Sequence, residues 1–460
     1  MLKINVLWIE LKKITDIMRI VIAGAGDVGT HLAKMLSKEK HTIILLDEKA
    51  EKIKALEANY DILSVVGSPT SIKDLREAQV PSADLFVAVT PFESTNITAC
   101  MLATNLGALK TLARIDNQEY LLPKNKEFFK SMGIDSLIYP EMLAAEEIVN
   151  SLKKGWVRQY VELSGGALIV LATKIREGSP LCNVPLEKAF ANNGKVRIVV
   201  IKRGNTTIIP SGKHQVLAGD IVYFITTHDG LEDVRIQSGK EDYDINNIMF
   251  LGASRICIKA IQGLPKSKDI KVIEQDLEKT YRIIENTDNV LVINGDGRDL
   301  SLLQREEISS FDAFVALSGN AETNILSCLA AKGLGVHRTI AEVENIDYID
   351  MAERLDIGAI INKKMIAASQ IYKMILGGDV SVKCLTFAEV DIVELRAEND
   401  SYITKGALST LSLPKNTLIG GIVRDGVGEV AVGKTQIQPG DNVTVFCGKD
   451  TLGEIEKLFK

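Results

Sequence analysis

The stretch Arg19-Ile20-Val21-Ile22-Ala23-Gly24-Ala25-Gly26-Asp27-Val28-Gly29, followed by a helical run and then His41-Thr42-Ile43-Ile44-Leu45-Leu46-Asp47, constrains this chain more than any other. It reads as a buried strand, a G-x-G-x-x-G turn, a helix and a second strand ending in a carboxylate, the βαβ pattern that binds dinucleotides. Gly24 permits the tight turn, Gly26 lacks the Cβ that would hold a pyrophosphate off the backbone, and Gly29 lets helix and strand approach. The helix start offers free N–H groups and the positive end of its dipole to phosphates. Asp47 is placed to accept both ribose hydroxyls. Its charge would repel a 2′-phosphate, so NAD-type or adenosine ligands are favoured over NADP.

Around this stretch, apolar runs near 20–23, 42–46, 62–66, 84–89, 111–114 and 136–138 predict strands, and helical periodicity predicts helices near 28–37, 50–58, 71–78, 94–106, 119–131 and 141–153. Strands alternating with helices imply a doubly wound parallel sheet. After Gly155 the chain turns β-rich, with turn signals at Gly165-Gly166, Arg203-Gly204-Asn205 and Ala218-Gly219-Asp220, so 155–236 reads as a small α+β domain. The polar stretch 237–247 reads as a linker.

Then the pattern restarts. Gly252 − Gly24, Gly295 − Gly67, Ser318 − Thr90 and Asn324 − Asn96 all give 228, and Arg424 − Arg203 and Gly440 − Gly219 both give 221. Two offsets shared by several landmarks mean that the large and small domains are both duplicated. The expected order is an extension at 1–17, a Rossmann-type domain at 18–154, a small domain at 155–236, the linker, a second Rossmann-type domain at 248–378 and a second small domain at 379–460. The Gly-Asp pairs at 219–220 and 440–441 read as hairpin turns.

Composition narrows the function class. Mixed charges with a net of −6 give no basic patch for nucleic acid or an anionic membrane surface. Six scattered cysteines without a C-x-x-C fit a reduced, cytosolic setting. No run of about 18 apolar residues predicts a membrane span, and residues 1–17 lack the pattern of a signal peptide.

The glycine loop with Asp47, then Val66-Gly67, the block Val87-Ala88-Val89-Thr90-Pro91-Phe92-Glu93-Ser94-Thr95-Asn96, Ala113-Arg114, the small domain and a diverged second copy of this order together resemble the tandem RCK (regulator of potassium conductance, or KTN) family of Trk potassium-uptake regulators. The resemblance covers residues 18–460. It implies a non-enzymatic, cytosolic regulatory subunit that binds NAD(H), with ATP or ADP as alternatives, and gates a TrkH/TrkG-type membrane potassium transporter as a peripheral partner at the inner face of the membrane. It also implies a homo-oligomer, a tetramer, with the helix at 141–153 near the contact between sheets.

Under this resemblance Gly24, Ala25, Gly26, Asp27, Val28 and Gly29 form the phosphate turn and Asp47 meets the ribose. Thr90 and Pro91 end the fourth strand beside the crevice; the proline departs from the family's polar pair and leaves a carbonyl contact but no N–H. Arg114 matches the family's phosphate-facing arginine. Gly67, Glu93 and Asn96 lie in the same crevice by motif and rank second, since they serve equally well to hold loops and helix starts. In the second copy Gly252 and the carboxylate of Glu274 persist, but Ser254 and Cys257 replace the later glycines and Glu342 stands where Arg114 would (114 + 228 = 342). The second site is expected to be weakened, lost or adapted to a smaller ligand.

An NAD-dependent oxidoreductase is the alternative. Hydride transfer needs a positioned acid or base, and the five histidines (His31, His41, His214, His228, His337) show no paired arrangement. The cluster Glu342, Glu344 and Asp347 reads as a solvated loop rather than a metal site.

Overall fold

The computed structural model describes residues 17–37, 41–57, 60–190, 194–375, 381–384, 390–448 and 451–460; the expected extension, apart from Ile17, lies outside them. They divide into two compact units, one drawn from 1–143 and 364–378, the other from 144–363 and 379–460.

In the first unit, continuous Ile, Val and Leu runs become strands covered on both faces. β1 (Arg19–Ala23), α1 (Asp27–Leu36), β2 (Thr42–Asp47), α2 (Ala50–Glu57), β3 (Leu63–Val66), α3 (Ile72–Glu77), β4 (Leu85–Ala88), α4 (Glu93–Leu106), β5 (Thr111–Arg114), α5 (Pro123–Ser131) and β6 (Ser136–Ile138) follow in order. The sheet is parallel with strand order β3-β2-β1-β4-β5-β6. Val21, Ala23, Phe86 and Ala88 form one face, packed with Ala99, Cys100 and Phe129 from α4 and α5. Each large apolar side chain so buried contributes about 1.5–3 kcal/mol. The order reverses between β1 and β4, which opens a crevice at their carboxyl ends. The helix expected at 119–131 is broken: a 3-10 turn at Gln118–Leu121 precedes α5, which starts at Pro123. Proline keeps Leu122 out of the helical region and seats itself at the first helical position.

α6 (Pro140–Lys153) passes into the second unit at Ala144. There β7 (Gln159–Leu163), β8 (Leu168–Lys174), α7 (Leu186–Ala189), β9 (Val196–Arg203), β10 (Thr206–Ile208), β11 (Ile221–Thr226) and α8 (Leu231–Gln237) build an antiparallel sheet, ordered β10-β9-β11-β8-β7. The polar stretch that follows is anchored: the Tyr243 hydroxyl donates to the Gly155 carbonyl at 2.7 Å and Ile245 is buried.

The second parallel sheet repeats the first. β12 (Asn247–Leu251), α9 (Arg255–Gly263), β13 (Asp269–Glu274), α10 (Leu277–Asn286), β14 (Val290–Asn294), α11 (Leu300–Arg305), β15 (Ala313–Ala316), α12 (Ala321–Gly333), β16 (Arg338–Glu342), α13 (Ile349–Arg354) and β17 (Ala359–Ile361) give the order β14-β13-β12-β15-β16-β17. α14 (Lys363–Ile375) belongs to the first unit from Lys364 onward. β18 (Ser381–Cys384), β19 (Val390–Arg396), β20 (Thr417–Arg424), β21 (Val427–Val430), β22 (Asn442–Gly448) and α15 (Leu452–Phe459) complete the second antiparallel sheet, ordered β18-β19-β22-β20-β21.

The two Gly-Asp turns have matching supports. Arg203 donates Nε and Nη2 to the Asp220 carboxylate at 3.0 and 2.8 Å, and Arg424 does the same to Asp441 at 2.8 and 2.7 Å. Each aspartate also accepts the N–H three residues before it, from Leu217 and Gln438. The turns these aspartates hold are not the hairpin turns that the sequence suggests: β10 and β11, and β21 and β22, are not neighbours in their sheets, so each turn leads into a strand that pairs elsewhere.

Candidate nucleotide-binding site

The three loop glycines of the first unit have three different reasons. Gly24 has φ +111°, and a Cβ there would lie 2.9 Å from the Thr90 nitrogen. At Gly29 a Cβ would lie 1.9 Å from the Gly24 carbonyl oxygen, so α1 can approach the loop only without one. Gly26, the N-cap of α1, has an ordinary φ of −76°, and a Cβ would meet nothing within 4 Å. Packing therefore explains Gly24 and Gly29 but not Gly26, whose bare Cα faces open space at a helix N-terminus.

Asp47 ends β2 partly buried. Its Oδ2 accepts from Ala25 N at 2.6 Å and its Oδ1 from Lys49 N at 2.8 Å. The carboxylate thus ties the glycine loop to its own strand, and each oxygen keeps a further lone pair for a ribose hydroxyl. Asp27 and Val28 occupy the first turn of α1, with Val28 buried and Asp27 exposed. Asp27 pairs with Lys364 at 3.1 Å, a lysine whose side chain is only 16% exposed. Nothing near Asp27 in the sequence announces that partner, which lies in the other half of the chain.

Across the crevice, Thr90 and Asn96 form a latch. Asn96 Oδ1 accepts from Thr90 N at 2.9 Å and from Thr90 Oγ1 at 2.7 Å, while Asn96 Nδ2 donates to the Thr90 and Arg114 carbonyls at 3.0 and 2.9 Å. One fully buried amide thereby joins the ends of β4 and β5. Glu93 is structural too: its Oε2 accepts from Asp116 N at 2.6 Å and Asn117 N at 2.8 Å, shaping the loop after β5. Pro91 is exposed at the crevice rim. Gly67 makes room for Asp74, whose carboxylate would lie 2.7 Å from a Cβ there and accepts from Ser68 N at 2.9 Å.

Arg114 ends β5 with its Nη2 3.2 Å from Glu141 Oε1 and 3.7 Å from Asp116 Oδ1. Its Nε is buried with no acceptor among the described residues. A guanidinium with an unmet donor at the crevice fits a phosphate oxygen. The open Gly26, the carboxylate of Asp47 and this arginine together fit a nucleotide carrying phosphates.

The second copy keeps the scaffold but differs at the positions that would face phosphates. Gly252 has φ +93°, and a Cβ there would lie 2.8 Å from both Leu317 O and Ser318 N. Glu274, 7% exposed, accepts from Ala253 N at 2.7 Å and Asp276 N at 2.8 Å, repeating the role of Asp47. The latch recurs as Ser318 and Asn324, with Asn324 Nδ2 donating to the Ser318 and Glu342 carbonyls at 3.0 and 2.8 Å. But Ser254 Oγ accepts from Cys257 N at 3.3 Å, so the helix's own serine takes up an N–H that a phosphate would need. Cys257 is fully buried, and burial, reinforced by Glu274, pushes its thiol well above the usual range. Glu342 is buried at the position of Arg114.

Of the histidines, His31 lies on α1 itself. His41 sits at the opposite end of β2 from Asp47, accepting from Met18 N at 3.3 Å, and burial lowers its pKa. His337 stacks against Tyr243. Glu344, from the acidic cluster, pairs with Lys363 at 2.9 Å. Among the described residues there is no metal-ligand group and no helix long and apolar enough to cross a membrane.

The model of the TrkA-N domain matches residues 20–140 and 248–363, and that of the TrkA-C domain matches 170–236 and 392–460. The chain is 31% identical over 452 residues to the Trk system potassium uptake protein TrkA of Haemophilus influenzae, covering 96% of this chain and 99% of that one. In fold it is similar to the crystal structure of the GsuK RCK domain (TM-score 0.62, 14% identity, 98% of this chain and 99% of that one). It is also similar to the GsuK channel bound to NAD (TM-score 0.60, 14% identity, 98% of this chain and 83% of that one). With each domain type present twice and a relative matched over nearly its whole length, the chain belongs to the TrkA family of Trk system potassium uptake proteins.

Proposed function

We propose that the chain is a nucleotide-binding regulatory subunit that gates a membrane potassium transporter, with its first Rossmann-type domain as the sensor. The observation that carries this reading is Gly26: no packing contact explains its missing Cβ, and close approach of a ligand does. Asp47 favours NAD(H) over NADP(H); ATP and ADP share the ribose and phosphates that the loop reads. The relatives' name and the NAD-bound channel of similar fold support both halves of the reading.

The partner is a TrkH/TrkG-type membrane transporter, which the chain would meet as a cytoplasmic, peripheral homotetramer. For a nucleotide to regulate, it must bind the conducting and closed arrangements with different affinity. Potassium flux into liposomes that hold such a transporter, with and without this chain and NADH, tests the proposal. Flux that depends on the chain and on the nucleotide is expected; flux indifferent to both would sink it.

A further inference from the structure

A second charged centre lies within the second unit, where the first antiparallel sheet meets the amino end of β17. Asp356 gathers four cations: Arg158 through Nη2, Lys174 at 3.4 Å, Arg176 at 3.6 Å and Lys332 at 2.8 Å. Lys240 stands near enough for Arg176, Arg158 and Lys174 to act on it as like charges; burial first, and then these neighbours, lower its pKa to about 8. Beyond Asp356 the acid facing Arg158 and Lys174 is Glu353, whose own pKa burial raises. Five cations therefore face two carboxyls, and the excess positive charge gathers around the one guanidinium of the cluster that is buried, Arg158.

Two guanidinium nitrogens sharpen the point. Arg158 is 7% exposed, and its Nη1 has no acceptor among the described residues although its Nη2 is on Asp356. Arg338, 4% exposed and close enough to Arg158 to repel it, donates Nη2 to the Ser151 carbonyl at 3.1 Å and leaves Nε without an acceptor among those residues. Buried donors are almost always met, by protein, water or a bound ion.

The fold does not require this cluster. In the first copy the positions of Lys332 and Asp356 are held by Thr104 (332 − 104 = 228) and Gly133 (356 − 133 = 223, the offset of β17 from β6). There the Thr104 hydroxyl donates to the Gly133 carbonyl, as Lys332 Nζ donates to the Asp356 carbonyl at 2.6 Å. The second copy has kept the hydrogen bond and added the charges.

We propose that this cluster binds a multivalent oxyanion of the phosphate class, with Arg158, Arg176 and Lys240 as its donors and Asp356 and Lys332 holding the cations in place. Guanidinium forks beside ammonium groups suit tetrahedral oxyanions. It shares no residue with the glycine loop, so substitutions can address the two one at a time.

Calorimetric titration of the intact chain with orthophosphate, pyrophosphate and ATP at matched ionic strength tests this. Pyrophosphate should bind wild type and Gly26→Ala alike, and the double variant Arg176→Gln/Lys240→Gln should weaken it about 10- to 100-fold. Arg176 is 69% exposed, and a thermal melt of the variant checks that its fold is kept. ATP binding weakened by the double variant while Gly26→Ala retains it would identify a nucleotide as the source of the phosphates; weakening of orthophosphate and pyrophosphate alone would identify the free anion. Pyrophosphate binding that survives the double variant, or is lost in Gly26→Ala, or that is undetectable together with the other two, would overturn the site.

Discussion

Replacing Gly26 by alanine separates ligand from fold at a single atom. The new Cβ meets nothing within 4 Å and the backbone φ of −76° suits any residue. Alanine is a poorer N-cap than glycine, but it also restricts the unfolded chain, and the two effects should offset to within about 1 kcal/mol. A phosphate seated on the first turn of α1 would lose one or two charge-assisted hydrogen bonds, each worth about 1.5–3 kcal/mol, or about 10- to 150-fold in Kd per bond. The control is Gly29→Ala, whose Cβ would overlap the Gly24 carbonyl oxygen at 1.9 Å and so should damage the fold itself. Calorimetry with NADH, paired with thermal unfolding, reads both effects. Unchanged NADH affinity in a well-folded Gly26→Ala would refute the claim that phosphates lie over Gly26. Unfolding of Gly26→Ala comparable with Gly29→Ala would refute the assignment of open space.

Three further outcomes follow from the same geometry. Asn96→Ala should destabilise the first unit by about 2–4 kcal/mol in denaturant unfolding, because it strands the Thr90 N–H and the Arg114 carbonyl in a buried setting. Arg203→Met should cost about 3–5 kcal/mol by leaving Asp220, 2% exposed, without its guanidinium, and wild-type stability in that variant would contradict the fork's role. Burial pushes the Asp356 carboxyl up, but Arg158, Lys332 and Lys174 outweigh it and hold it at about 2, below the ordinary 3.8. A lowered folded-state pKa stabilises above the unfolded value and is lost as pH falls through the folded one. The stability gap between wild type and Asp356→Asn should therefore narrow by about 1–2 kcal/mol between about pH 4 and pH 2, allowing for solvent screening.

What the sequence discloses here is what is local or repeated. The glycine loop, the carboxylate after it and the alternation of strand and helix are short-range patterns, and the offsets of 228 and 221 make the duplication visible without any contact being known. Ser254 was half legible: the sequence shows a serine where the first copy has glycine, while only the structure shows its hydrogen bond to Cys257 N. Asp47 and Asn96 carry a second role that motif reading ranks poorly, because tying a loop or two strand ends depends on register between strands far apart in sequence. Glu274 and Asn324 keep those structural roles where the later loop glycines are replaced, which shows that both residues serve the scaffold. The break before Pro123 was readable from the proline itself. The pairing of Asp27 with Lys364 and the gathering of charges on Asp356 were not readable, since both join residues whose neighbours in sequence give no signal.

The most direct test of the central claim is the number of nucleotide sites. Titrating the intact chain with NADH, NADPH, ATP and ADP should give one nucleotide site per chain that Asp47→Ala and Arg114→Ala weaken, with NADPH weaker than NADH at it. Two equal NADH sites per chain would contradict the degenerate second copy, and no NADH, ATP or ADP site responsive to Asp47 would contradict the first copy as the sensor.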